Sequence, residues 1–237
     1  MLIKTNLHFH TGDDPLDNLS YSAYQAIDHA NKLGFGALSF TCHTKLVHKK
    51  EYEEYANKKN ILLLPGIEAT IEDKHVVIIN CDKEIENIRS MEELRIYKKN
   101  NPKILIIAPH PFVWSRKSLG KKLVENIDLF DAIELSVFSN KFFNFNKKAI
   151  RIAKKHNKPI IATSDTHSLK DLKRGYTLIN AENKNAENIL SSIKNRKFKN
   201  KMDSMGLIAM ARHMTRVILF HLFPRNNRHT TTGTRIK

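Results

Sequence analysis

The sequence predicts an α/β fold on a parallel sheet, with a closed barrel favoured over an open doubly wound sheet. Three observations carry this expectation. Short apolar runs alternate with helical patterns along the first 200 residues. Polar residues able to bind metal recur at the C-terminal ends of those runs, where a parallel barrel gathers its loops. No G-x-G-x-x-G follows the first run, so the dinucleotide fingerprint common in open sheets is missing.

Taken in order, LIKTNLHF (2–9) reads as the first strand, and a helix follows over about 20–33. Ser20 is its candidate N-cap, and Gly34 stands just past its end. GALSFT (36–41) is a strand, followed by a helix at 49–59. ILLLPGIEA (61–69) and HVVIIN (75–80) are strands, followed by a helix at 90–100. KILIIA (103–108), DAIELS (131–136), PIIATS (159–164) and GYTLIN (175–180) supply four more strands. Helical patterns at 117–126, 144–156 and 185–195 separate or follow them, the last with Ile189 and Ile193 four apart on one face.

The 237 residues suit a single barrel or two small domains. Hydrophobic residues at 41% and charged residues at 27% exclude global disorder, collagen-like sequence and a polytopic membrane protein. Cys42 and Cys81 are too few for a disulfide framework, and MLIKTNLHFH has no apolar core of signal-peptide length. A cytoplasmic protein is therefore expected. The net charge of +16 attracts phosphates, nucleic acid or anionic lipid. That charge is spread along the chain rather than clustered, which also fits a solvated, lysine-rich surface.

Composition shifts near residue 200, within a solvated basic stretch at 194–201: residues 1–200 hold 27 Lys and 6 Arg, whereas residues 201–237 hold 2 Lys and 5 Arg. The expected organisation is a barrel over 1–200 and a tail over 201–237. Within the tail, SMGLIAMARHMTRVILFHLF (204–223) has the pattern of a basic amphipathic helix, with Arg212 and Arg216 on one face. It is too interrupted for a membrane span. Docking on the barrel or a second subunit, lying on an anionic membrane surface, and weak order are the three readings. Residues 224–237 are polar and expected to be disordered.

The chemistry is concentrated at strand ends. His8 and His10 close the first strand at a spacing that puts both on one face. His43 follows GALSFTC, Glu68 ends ILLLPGIE, and His110 follows KILIIAP; Asp165 and His167 follow PIIATS, again two apart. Any one histidine at a strand end is weak evidence. Seven candidate ligands from five strands, all at the same end, predict a metal centre. Imidazoles with carboxylates suit Zn, Mn or Fe rather than Ca or Mg. Cys42 points to the opposite face from His43 and reads as buried and structural.

The segments NLHFHTGDD, LSFTCH, PGIEAT, IAPHPF and ATSDTHS, in that order over about residues 1–180, resemble the PHP-domain (polymerase and histidinol phosphatase) superfamily. That resemblance implies a distorted seven-stranded (β/α) barrel, metal-dependent hydrolysis, usually of a phosphoester, and two or three divalent ions. It implies one metal on His8, His10, Glu68 and Asp165. A second would share Glu68 and take His110 and His75. A third would take His43, His167 and either Asp14 or Asp17. Asp17 is favoured because it stands nearer the LSYSAY helix start. Two departures bear on the third site: the usual T-D-H reads T-C-H at 41–43, and the usual S-D-G after H-x-H is replaced by GDDPLD.

For such a reaction, metal-activated water would attack in line at a centre bridged by Glu68 and completed by Asp165. His43 and His167 would serve as leaving-group acids if the third metal is absent. Lys45, Arg116 and Arg174 follow ligand motifs and are phosphate-clamp candidates, with solvated surface cations as the competing reading. Glu134 is expected to face the mouth or the wall, with a structural charge partner as the competing reading, and Ser139 and Asn140 after it are candidates to line the substrate pocket. Phe9, Phe112, Trp114 and the aromatics at 138–145 stack a ring or pack the barrel. No G-x-S-x-G elbow or P-loop is present. The expected substrate is a small phosphorylated molecule, with nucleic acid and a membrane surface as further partners. An amidohydrolase-like C–N hydrolase and a tail-targeted binding module are the alternatives.

Overall fold

Every strand expected from the sequence forms, and one more joins them. A computed structural model describes residues 1–139, 144–203 and Thr215. The strands are β1 (Leu2–Phe9), β2 (Ala37–Phe40), β3 (Leu62–Ile71), β4 (Lys74–Ile79), β5 (Leu105–Ala108), β6 (Ala132–Leu135), β7 (Ile160–Ala162), β8 (Gly175–Asn180) and β9 (Phe198–Met202). The helices are α1 (Ala23–Lys32), α2 (Lys50–Lys58), α3 (Met91–Asn100), α4 (Lys121–Glu125), α5 (Asn146–Lys155) and α6 (Ala186–Lys194). Ser22 rather than Ser20 caps α1, because the capping box needs Gln25 three residues on to return the bond to the Ser22 N–H.

The sheet order β7-β6-β5-β4-β3-β2-β1-β8-β9 makes nine strands, where the family resemblance implied a seven-stranded barrel. The first seven run in chain order. The ends of the series meet where Phe9 bridges Thr166 in parallel fashion and His10 N–H donates to Thr166 O at 3.2 Å, so the sheet is a nearly closed barrel. β8 and β9 add antiparallel strands beyond β1. The basic stretch at 194–201, read as solvated, thus contributes β9. Its lysines alternate outward while Phe198 packs against the interior cluster.

The all-parallel expectation is corrected at β4. Only Glu72 and Asp73 separate β3 from β4, too few for a crossover helix, so the pair is a hairpin with Ile71 opposite Lys74. Both turn residues have positive φ, 47° and 62°, as a tight primed turn requires. β4 is therefore antiparallel to β3 and β5 and runs away from the mouth.

Ile3, Leu7, Leu64, Val77, Leu105, Ile107 and Ile161 belong to one buried apolar cluster that also takes in α6. α1 and α2 cover one flank around Phe9, Leu38 and Phe40, and α3, α4 and α5 cover the other around Ile78, Ile106 and Phe130. The rigid strands thus hold the polar strand ends in place. Among the described residues no helix is long and apolar enough to cross a membrane. The segment 204–223, apart from Thr215, and residues 224–237 lie outside the described residues, as do Asn140, Phe142 and Phe143.

Candidate metal centre

The strand ends converge. His8 on β1 and His10 just beyond it aim their Nε2 atoms at the same two carboxylate oxygens. His8 Nε2 lies 3.5 Å from Glu68 Oε2 and 3.3 Å from Asp165 Oδ1. His10 Nε2 lies 3.4 Å and 3.2 Å from the same atoms. A tetrahedral ion with bonds of about 2.0–2.1 Å spaces its ligand atoms about 3.3–3.4 Å apart. The four imidazole–carboxylate separations match that spacing, and His8, His10 and Asp165 form one group able to hold an ion. His8 Nε2, His10 Nε2 and Asp165 Oδ1 are all buried without a hydrogen-bond partner among the described residues. Buried polar atoms are normally satisfied, so three orphans facing one point mark the place of a cation.

Glu68 is buried on β3 beyond the end of β2, and its two oxygens face different imidazoles. Oε2 meets His8, His10 and, at 3.1 Å, His43 Nε2. Oε1 lies 3.0 Å from His75 Nδ1 and 3.1 Å from His110 Nε2. The reversed β4 explains how His75 arrives: it stands at the start of its strand, opposite Thr70, and so reaches the mouth from a strand running the other way.

A third group forms around the loop after β1. Asp17 Oδ2 lies 2.9 Å from His167 Nε2 and 3.4 Å from His43 Nδ1, and it too lacks a hydrogen-bond partner. Asp14 is engaged instead. Its Oδ2 accepts from His10 Nδ1 at 2.8 Å, His43 N–H at 2.8 Å and His43 Nδ1 at 3.0 Å. Its Oδ1 accepts from the N–H groups of Leu16 and Asp17. The loop passes close beneath Tyr21, where Gly12 N–H donates to Tyr21 O at 2.9 Å. A Cβ on Gly12 would meet that oxygen at 2.6 Å, so only glycine fits.

Two site residues hold backbone conformations that sequence patterns do not signal. Asp165 has φ of 45° and His110 of 27°. Such strain costs about 1–3 kcal/mol per residue and persists where surrounding structure imposes it.

The electrostatics are dominated by carboxylates. Burial lowers the His8 pKa, but Asp165, Glu68 and Glu134 outweigh it and raise the group well above the imidazole range. Burial likewise opposes charge on Glu68, yet His75, His8, His43 and the His110 hydrogen bond hold it well below the usual carboxylate range. Asp165 behaves the same way under His8, His167 and His10. His43 and His110 are raised against burial, chiefly by Glu68. His167 is pushed up to about 9 by Asp165 and Asp17, again against burial. Among the site histidines whose pKa moves, burial prevails at His75, which is lowered. A field that favours protonated imidazoles also favours divalent cations, whose binding releases those protons.

Known proteins share this fold. Residues 143–198 match the family model described as PHP-associated. A two-domain protein from Bacteroides vulgatus, containing a predicted PHP-like metal-dependent phosphoesterase, superposes with a TM-score of 0.67 at 20% identity, covering 92% of this chain and 70% of that one. The chain shares its fold with PHP-like metal-dependent phosphoesterases. PsfC from Pseudomonas syringae matches 94% of this chain and 99% of its own at a TM-score of 0.60 and 14% identity. The lesion-specific endonuclease PfuEndoQ from Pyrococcus furiosus matches 85% of this chain and 57% of its own at 0.57 and 19%. These structural likenesses establish the fold. No curated protein matches the chain in sequence.

The three expected phosphate clamps stand apart in character. Lys45 is exposed, two residues from His43. Arg116 is exposed, with its carbonyl accepting from Lys74 Nζ. Arg174 donates from Nε to Asp171 at 2.6 Å, so its charge is already partnered. Phe9 is core. Trp114 is 64% exposed in the loop after His110, with Phe145 packed edge-on at 5.4 Å. Cys42 is fully buried, as its strand position implied.

Proposed function

We propose that the chain is a metal-dependent phosphoester hydrolase that acts on a phosphomonoester or nucleotide-type phosphoester. The observation that carries this reading is Glu68, whose two oxygens face two separate imidazole groups beside the cage of His8, His10 and Asp165. A carboxylate divided in this way suits a bridge between two cations. In this reading His8, His10, Glu68 and Asp165 hold one ion, and Glu68, His75 and His110 hold a second. His43, His167 and Asp17 hold a third, while Asp14 orients His10 and His43. The donor set suits Zn, Mn or Fe.

Such ions supply Lewis acidity towards a phosphoryl oxygen and activate water near neutral pH. The protein supplies the rest. The buried strands fix each ligand, and the orienting carboxylates keep each Nε2 lone pair turned inward. Where the third ion is absent, His167, with 34% side-chain exposure against 11% or less for His43, His75 and His110, is the proton donor nearest to solvent for a leaving oxygen. Lys45 is positioned as a point charge for phosphate. Trp114 offers a ring face to a base or sugar on the side of His110. A nucleic-acid end is a sub-case of this substrate class, and the endonuclease likeness supports testing it.

The test is phosphate release across phosphomonoesters, phosphodiesters and oligonucleotides with Mn, Zn or Fe added. The expected result is metal-dependent release that a His8→Ala, Asp165→Ala double variant loses. Hydrolysis of cyclic amides with no phosphate release from the metal-loaded protein would overturn it in favour of C–N bond chemistry.

A further inference from the structure

We propose that Glu134 is the positioning residue for His8 in the metal centre, a role that rests on the metal-binding reading above. Glu134 lies on β6, opposite Ile161 of β7, and is fully buried. Its Oε2 lies 2.7 Å from His8 Nδ1. β6 is not a neighbour of β1 in the sheet, so this contact spans strands that share no ladder. A buried carboxylate costs free energy unless something inside uses it. Among the described residues its hydrogen-bond partner is His8, and its Oε1 has none.

The chemistry of the pair follows from atom types. A carboxylate only accepts, so the proton between the two atoms sits on His8 Nδ1. The neutral ring then carries its lone pair on Nε2, the atom that faces Glu68 and Asp165. Without Glu134, neither the tautomer nor the ring angle would be fixed on that side. Asp14 does the same for His10, at 2.8 Å. The two carboxylates differ in one respect: Asp14 also caps three backbone N–H groups, whereas Glu134 holds no loop. Changing Glu134 therefore separates orientation from local folding.

The experiment titrates the full chain with Co²⁺, followed by its visible absorption, in wild type, Glu134→Gln and Glu134→Ala. Nitrogen-15 NMR of the Zn²⁺-loaded proteins reads which His8 nitrogen carries the proton. We expect Co²⁺ affinity to fall about 10–100-fold in Glu134→Ala with an altered spectrum. The Nε2–H tautomer should appear at His8, and Glu134→Gln, which keeps an acceptor, should restore part of both. If Glu134→Ala fails to fold, the Gln variant decides through its spectrum and His8 tautomer. Wild-type affinity, spectrum and tautomer in the folded variants would overturn the role of Glu134 alone. A folded wild-type chain that binds no Co²⁺ would overturn the metal-binding reading and this proposal with it.

Discussion

Adding one methyl group at Gly12 should cripple metal binding from a position that touches no metal ligand side chain. The new Cβ would stand 2.6 Å from Tyr21 O, where ordinary contact begins at 3.4 Å. One side must therefore give by about 0.8 Å, at a cost of about 1–3 kcal/mol. If the loop gives, Asp14 moves with it, and its 2.8 Å bond to His10 Nδ1 stretches to about 3.6 Å, beyond hydrogen-bond range. If Tyr21 gives instead, its hydroxyl pulls on His10 O and Thr166 O, the backbone beside two ligands. Either route misaims His10, so a loss of about 10–100-fold in metal affinity is expected in Gly12→Ala. Metal titration by calorimetry reads it directly. Gly34→Ala is the control: its φ of +73° predicts about 1 kcal/mol of strain, but nothing lies within 4 Å and no ligand is near in sequence. Wild-type metal affinity in Gly12→Ala would refute the reasoning. So would an equal loss in Gly34→Ala.

Four more outcomes follow from the same geometry. Asp17→Asn should lower the metal stoichiometry by one with little loss of stability. Asp14→Asn should lower the melting temperature, because five hydrogen bonds converge on that carboxylate; metal analysis beside thermal unfolding distinguishes the two. Saturating metal at about 100 times Kd should stabilise the fold by about 2.7 kcal/mol, so chelation should lower the melting temperature by about 5–10 °C. Burial pushes both thiols up to about 12, so Cys42 and Cys81 remain protonated and unreactive in the native protein. Alkylation at pH 8 should label neither until denaturant is added, and rapid native labelling would contradict their burial.

Much of this was legible in the sequence because the strand ends carry it. A two-residue period places His8 beside His10, and apolar runs ending in His, Glu or Asp mark the mouth. What stayed hidden depends on tertiary contact. The reversal of β4 was visible only as a short gap between apolar runs, so β4 was placed in a parallel sheet. β9 escaped notice because FKNKM reads as a charged surface and earns its place only by pairing with β8. Glu134 sits in an apolar run with no local sign of the imidazole it meets. The left-handed conformations of His110 and Asp165 belong to residue types that do not announce them. The expected choice between Asp14 and Asp17 turns on which oxygen is already taken, and only the loop's path around Tyr21 decides that.

The bridge between Phe9 and Thr166 gives the site a timetable. The cage needs His8 and His10 from the first strand of the series and Asp165 from just after the seventh, so its contacts join residues far apart in sequence. Contacts of that kind close late in folding, because the intervening chain must be ordered first. A growing chain that stops short of Asp165 holds two histidines and no clasp. Once an ion is seated, it would join the two ends of the strand series as a crosslink does, resisting unzipping at the seam where the barrel is least continuous.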